Sequence, residues 1–386
     1  MIKLIRVRNF KSLGEMTLPL GKFSCLIGMN GAGKSTVLQA LDFVSQIMIG
    51  QIQEWLDHRG WLIHDLNCKL RKESNITFAV EFLTSSGQRL SWIGIFNRTS
   101  LRCTSESLVI DGVKTFQSTS QDFRLEGGPK REIPFVFQGS LLSVLKDAEL
   151  PAPILEFREA MRRTRSLELL SPQLMRKSAR SSDMDIGSGG EKLAGYLATI
   201  KGEARARLLE LMKRFYPRLE DFRITSQRAG WKKLSVVEQF SEHKLETEAM
   251  HMSDGLLRIL AVLAQSGSDR SLILLDEIEN GINQEIVEKL VDALVTCPQQ
   301  ILVTTHSPLV LNFLSDEVAR ESVLFIYRTP LGESRVRHFF EIPRIAEKLN
   351  FMGPGDAFVD TDLDALTQTC VELDAATDHL RPVEAQ

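Results

Sequence analysis

Gly28-Met29-Asn30-Gly31-Ala32-Gly33-Lys34-Ser35-Thr36 decides the fold. The stretch fits G-x-x-x-x-G-K-[ST], and its flanks are those the motif needs: FSCLIG (23–28) reads as a buried strand, and VLQALDFVSQIMI after the loop reads as an apolar-rich helix. Glycines let the backbone curl so that successive N–H groups face one phosphate, and the helix amino terminus adds a favourable partial charge. Lys34 is expected to bridge the β- and γ-phosphates and the Ser35 hydroxyl to ligate Mg²⁺. Asn30, Gly31, Ala32, Gly33 and Thr36 complete the expected nucleotide contact. A glycine-rich turn that binds nothing is the competing reading, and the strand and helix on either side speak against it.

The last third of the chain alternates: helix 256–266, strand 271–275, helix 283–296, strand 301–305, helix 308–315, strand 322–328. That is the pattern of a parallel sheet with crossover helices. SLILLDEIEN (271–280) ends its strand in Asp276-Glu277. One carboxylate there can hold a Mg²⁺ shell and its neighbour can orient or deprotonate an attacking water, so Asp276 is assigned to the metal and Glu277 to the general base. QQILVTTHSPLVL (299–311) places His306 just beyond the next strand, on the same sheet edge, where an imidazole can hydrogen-bond a γ-phosphate.

Towards the amino terminus, IKLIRVRNF (2–10) alternates as a half-buried strand. Residues 74–118 read as an antiparallel meander with turns at Ser86-Gly87 and Asp111-Gly112, and residues 139–220 are helical in pattern and rich in arginine. The 386 residues are 43% hydrophobic and 25% charged with a formal net charge of −3, which excludes disorder and a uniformly basic nucleic-acid coat. Cysteines 25, 68, 103, 297 and 370 form no C-x-x-C pair, and the odd count points to reduced thiols in a cytoplasmic protein. The amino terminus lacks a signal-peptide run, and no apolar stretch is long enough to span a bilayer.

RVRNFKS (6–12), GMNGAGKST, MSDGLLRIL (252–260), LLDEIENGI (274–282) and TTHSPL (304–309) together resemble the ABC-type ATPases, and within them the RecF/SMC-like and OLD-like ATPases of DNA repair and phage defence. The resemblance implies an α/β fold: an ABC-ATPase head whose mixed sheet has a P-loop core, with an antiparallel β subdomain and an inserted helical lid. It implies ATP and Mg²⁺ as cofactors, and two ATP held between head-to-tail protomers, each facing the other subunit's signature loop. Two segments compete for that loop. Gly187-Ser188-Gly189-Gly190-Glu191-Lys192 looks closer to the SMC form, whereas Met252-Ser253-Asp254-Gly255 has aspartate where glycine is usual. Spacing decides, because Ser253 precedes Asp276 by one helix and a turn and Ser188 lies several times farther away. Ser253 and Gly255 are therefore expected to bind nucleotide in trans, in a form that resembles OLD-type ATPases, and 187–190 to lead into a lid helix. Gln138 resembles the glutamine that touches Mg²⁺ and water, although an ordinary surface glutamine would read the same way. Arg8, Asn9 and Lys11 resemble the base- or ribose-proximal segment. Glu279, Asn280 and Asn283 fall where the inter-subunit loop lies, or simply cap a helix. Four segments follow: residues 1–135 with the P-loop and meander, the lid insertion 136–222, residues 223–342 with signature, Asp276 strand and His306 loop, and an acidic helical extension 343–386.

Other features read as bland. Asp360–Asp364 lacks the glycine and glutamate of an EF-hand and is read as acids in a helix's first turn. Too little chain follows His306 for a TOPRIM nuclease. The arginines of FREAMRRTRSLELL (157–170) fit either a solvated helix face or a double-stranded DNA contact through the lid. The expected partners are a second copy of the chain and a separate effector protein, with no membrane. The two functional readings are an ATP-driven switch in DNA repair or anti-phage defence, and a regulatory ATPase that gates a separate nuclease or toxin without touching DNA.

Overall fold

The computed structural model describes residues 1–180 and 185–378. The chain forms two compact units, Met1–Thr164 with the chain from Leu314 onward, and Arg165–Phe313.

In the first unit, β1 (Ile2–Phe10) buries Ile5 and Val7 and exposes Arg6 and Arg8, the alternation its sequence carries. It returns antiparallel as β2 (Leu13–Pro19), a strand hidden in the sequence by Gly14 and Pro19. β3 (Phe23–Ile27) is buried at every position, as a nearly all-apolar strand should be, and leads through the glycine loop into α1 (Lys34–Ile49). Asp42, the charge within that helix's apolar run, is buried and accepts hydrogen bonds from Trp55 Nε1 and Arg59 Nη2, both at 2.7 Å, on α2 (Ile52–Arg59). A buried carboxylate is tolerated when it is paired in this way.

The meander is present: β4 (Asn75–Leu83), β5 (Arg89–Asn97), β6 (Arg102–Ile110) and β7 (Val113–Ser118) pair in antiparallel succession, followed by β8 (Asp122–Leu125) and β9 (Arg131–Glu132). Asp111 and Gly112 both take positive φ, 47° and 83°, as a tight hairpin turn demands. Because β4 also pairs with β1, the whole is one eight-stranded sheet in the order β2-β1-β4-β5-β6-β7-β8-β9.

This sheet, whose sequence marks no chemistry, carries one notable group. Glu106 on β6 is buried and accepts hydrogen bonds from Trp92 Nε1 at 3.1 Å, Leu141 N at 2.6 Å and the Ser140 hydroxyl, tying the sheet to the segment just after Gln138. Burial pushes its carboxyl up from 4.5 to about 7, against the opposing pull of those donors. The stability linked to this group is whole below pH 4.5 and is lost as pH rises through about 7. Glu106→Ala should cost about 2–3 kcal/mol, since it strands buried donors, and should flatten that part of the pH profile. Denaturant unfolding of both proteins between pH 4.5 and 8 checks this.

α3 (Ala152–Arg162) turns its arginines inward. Arg158 donates to the Leu142 and Leu145 carbonyls at 3.2 and 2.9 Å, and Arg162 to those of Met48 and Ser143 at 2.9 and 2.8 Å. Neither the solvated face nor the DNA contact expected of the 157–170 run describes these two side chains. Their guanidinium groups satisfy backbone carbonyls at the end of α1 and in the 142–145 segment.

In the second unit, prolines and glycines break the expected helical stretch into β10 (Arg165–Ser166), α4 (Pro172–Met175), α5 (Leu193–Thr199) and α6 (Gly202–Phe215). β11 (Leu219–Ser226), β12 (Lys232–Phe240) and β13 (His243–Glu248) form a small antiparallel sheet. α7 (Asp254–Ser266) is buried along almost its whole length. β14 (Leu272–Leu275), α8 (Gln284–Val295), β15 (Gln300–Thr304) and α9 (Pro308–Asn312) follow, with β10, β14 and β15 parallel.

The chain then re-enters the first unit with α10 (Asp316–Ser322), β16 (Val323–Arg328), β17 (Ser334–His338), α11 (Ile345–Lys348), α12 (Pro354–Val359) and α13 (Leu363–Asp378). β16 lies parallel to β3 and antiparallel to β17, so the sheet at the phosphate loop is mixed. Asp362 caps α13, accepting from Asp364 N and Ala365 N at 2.9 and 3.1 Å, the first-turn role read for this acidic run. Asp374 receives the Tyr327 hydroxyl at 2.6 Å and the Arg337 guanidinium at 2.5 Å, which fastens the acidic extension to β16 and β17. Its last residues, 379–386, lie outside the described residues. All five cysteines are buried and none is in a disulfide, and no helix among the described residues is long and apolar enough to cross a membrane.

Candidate active site

The phosphate loop is built by glycines at positive φ: 146° at Gly28, 76° at Gly31 and 114° at Gly33. At Gly28 a Cβ would lie 2.2 Å from the Ile326 carbonyl of β16, so the close approach of two backbones admits no side chain. The Lys34 ammonium is buried in the curl, donating to the carbonyls of Gly28 at 2.8 Å and Met29 at 3.1 Å. Ser35 and Thr36 follow on the first turn of α1, and Asn30 and Gly31 are exposed on the loop's rim. Ser334, at the start of β17, braces the loop: its hydroxyl donates to the Ala32 carbonyl at 2.6 Å and meets the Ser12 hydroxyl at 3.1 Å. Sequence reading missed Ser334, which no local spacing marks.

Beside the loop segment, Lys11 and Ser12 line a cavity of about 600 Å³ with Trp61, Asn67 and Arg328. The Lys11 ammonium stands 3.1 Å over the centre of the Trp61 ring and donates to Gln39 Oε1 at 2.8 Å. Arg8 instead forks onto Glu73 at 2.7 and 3.2 Å. The pair raises the Arg8 pKa and, chiefly through Arg8's hydrogen bond, lowers that of Glu73. Asn9 is buried and structural, donating to the Glu73 and Asn75 carbonyls. Gln138 Oε1 accepts from Gln53 N at 3.0 Å, at the start of α2.

In the second unit, Leu275 pairs with Val303, so Asp276 and Thr304 emerge side by side from β14 and β15. The Thr304 hydroxyl donates to Asp276 Oδ1 and accepts from Glu277 N at 2.9 Å. Thr304 was overlooked in the sequence, although a hydroxyl ending an otherwise apolar strand is a readable signal. Glu277 stands at φ 47°, a conformation L residues seldom adopt. It is fixed there by Thr304 and by Asn280, whose N–H reaches the Glu277 carbonyl at 2.9 Å and whose side chain donates to Oε2 at 3.3 Å. The opposite oxygen, Oε1, lies 3.8 Å from His306 Nε2. The His306 N–H is held by Glu279 Oε1 at 2.8 Å. Asp276, Glu277 and His306 thus share one edge, with Glu279 and Asn280 orienting them.

Ser253 is the N-cap of α7, its hydroxyl accepting from Leu256 N at 3.3 Å. Gly255 is required by packing, since a Cβ there would stand 2.9 Å from the Gly281 carbonyl in the segment between β14 and α8. Asn283 is the N-cap of α8. Gly187 and Gly190 take φ 79° and 83° and lead into α5.

Strand, glycine loop and helix in one unit, with the carboxylate, threonine and histidine edge and the capped α7 in the other, are the parts of an ABC-type ATPase head. The chain is similar to the Smc head bound to the C-winged helix domain of ScpA (TM-score 0.56, 15% identity, covering 87% of this chain and 96% of that one). It is also similar to the Smc head domain with an extended coiled coil bound to the C-terminal domain of ScpA from Pyrococcus furiosus (0.54, 13%, 90% and 99%). At these identities the likeness establishes the fold. The chain belongs to the AAA domain family described as putative AbiEii toxin, Type IV TA system, which matches residues 23–312. Among curated proteins, it is 26% identical over 232 residues to the OLD nuclease of Thermus scotoductus, covering 59% of this chain and 34% of the nuclease. It is 32% identical over 101 residues to mouse structural maintenance of chromosomes protein 1B, covering 24% of this chain and 8% of that protein. The chain therefore spans about a third of the OLD nuclease and a small part of the chromosome protein.

Proposed function

We propose that the protein is an ATP-binding and ATP-hydrolysing switch of ABC type that sandwiches two ATP in a head-to-tail homodimer and acts in DNA repair or anti-phage defence. The observation that carries this reading is Glu277, held at a strained φ beside Asp276 with its carboxylate 3.8 Å from His306. Strain of this kind persists where surrounding bonds over-determine it and is concentrated at functional sites.

Loop N–H groups and Lys34 bind and neutralise the triphosphate, and Glu277 takes the proton of the attacking water. His306 senses the γ-phosphate. Ser253 of the partner protomer caps that phosphate from the other side. The Ser35 hydroxyl and Asp276 carboxylate are hard oxygen donors of the kind Mg²⁺ accepts, with Gln138 as a further oxygen; the bound ion would neutralise charge on the β- and γ-phosphates. Lys11 and the adjoining cavity suit the base or ribose end. In this reading the Arg8 guanidinium acts through Glu73 rather than on nucleotide.

Ser253→Arg tests the composite site. It should leave fluorescent-ATP binding by the monomer within twofold while turnover falls roughly 100-fold, because one set of phosphate contacts is supplied in trans. Turnover at the parent rate would overturn the sandwich.

A second reading, an ATPase subunit gating a separate nuclease or toxin effector without touching DNA, is favoured by the inward Arg158 and Arg162. Pull-down of the effector from a native lysate with ATP, but not ADP, would support it. ATP-dependent retention on double-stranded DNA by the purified protein alone would count against it.

A further inference from the structure

Asp254 is the feature the proposed signature leaves unexplained. An aspartate at the first position of a thirteen-residue helix already satisfies the helix's partial positive charge and adds a full negative one where a partner's triphosphate must dock. Glycine does neither. The structure answers that charge with Arg176 at the carboxyl end of α4. Its Nη2 donates to Asp254 Oδ1 at 2.5 Å and to the Met252 carbonyl at 2.9 Å, clasping the residues on both sides of Ser253.

Arg176 is itself held by the other glycine-rich candidate. Ser171 N, at the start of α4, donates to the Gly189 carbonyl at 3.0 Å. Gly190 lies so close to α4 that a Cβ would stand 2.4 Å from Met175 Cγ. The two segments that compete for the signature role are thus joined through one short helix, with 187–190 as its seat and Arg176 as its reach.

We propose that Arg176 is a positioning residue for nucleotide capture in trans: it neutralises Asp254 and fixes the Ser253 loop so that this loop accepts the triphosphate held by a second copy of the chain. The proposal rests on the reading of Ser253 as the signature serine. It makes Asp254 and Arg176 a matched pair that together replace a glycine.

The test is made in the hydrolysis-deficient Glu277→Gln background, with light scattering to follow ATP-dependent dimerisation and fluorescent ATP to follow binding by the monomer. R176A should raise the protein concentration for half-dimerisation about tenfold, through the unmasked like charge, and leave monomer binding unchanged. R176K, which keeps the charge and loses the fork, should fall between. R176A with D254G should return to within about twofold of the parent, which a purely structural role for Arg176 would not allow. Dimerisation of R176A at the parent concentration, or failure of D254G to rescue it, overturns the proposal. Should R176A be too unstable to purify, the R176K and D254G-rescued proteins still decide. If Ser253→Arg also dimerises normally, the signature reading itself fails; if Ser253→Arg blocks dimerisation while R176A does not, only the role of Arg176 falls.

Discussion

Glu277→Gln should lower ATP turnover by roughly 1,000-fold, the scale on which a positioned general base contributes, while nucleotide affinity stays close to that of the parent. The structural case for so clean a separation is that the substitution changes almost nothing except the base. Glutamine fills the same volume, and its side-chain oxygen can still accept from Asn280. The backbone bonds that hold residue 277 at φ 47°, from Thr304 Oγ1 and Asn280 N, involve no part of the carboxylate. What is lost is the negative oxygen that faces His306 and would take a water's proton. Phosphate release measured at saturating ATP reads the effect directly. Turnover within fivefold of the parent would mean that another group is the base.

Lys34→Ala acts one step earlier. The ammonium is buried within the loop and supported by two loop carbonyls, so it is already placed for phosphate and gives up little freedom on binding. Removing it deletes the loop's own full positive charge from a position meant for a tetra-anion, and no longer side chain replaces it. ATP affinity should drop by at least 100-fold, about the worth of charge-assisted hydrogen bonds in a sheltered site. The fold should survive, because β3, α1 and the Ser334 brace do not depend on the lysine head. Calorimetric titration of ATP into the variant measures this, and an affinity within threefold of the parent would remove Lys34 from the site.

The parts legible in the sequence are those whose chemistry is local. A nearly all-apolar FSCLI run, glycines that must take positive φ and a helix start together specify the phosphate loop without reference to the rest of the chain. The alternation after residue 254 likewise specifies parallel strands and crossover helices. What stayed hidden depends on residues far apart in sequence. Ser334 meets Ala32 across 302 positions, and Arg176 reaches Asp254 across 78. Nothing local marks Glu106 within its strand, because its partners Leu141 N and Trp92 Nε1 come from other elements. The arginines of α3 announce charge in the sequence, but their use follows from the carbonyls of Met48, Leu142, Ser143 and Leu145 that the fold brings to them. Asp254 was visible as a departure from glycine; its meaning came only with Arg176.

The shared ATP site is tested most directly by the mass of the Glu277→Gln protein, read by light scattering with ATP and Mg²⁺ and, separately, with ADP. A head that traps ATP between two copies of itself should run at twice the monomer mass with ATP and at the monomer mass with ADP, and Ser253→Arg introduced into the same protein should abolish the larger species. A mass that ignores the nucleotide, or a dimer that forms equally with ADP, would contradict the shared ATP site.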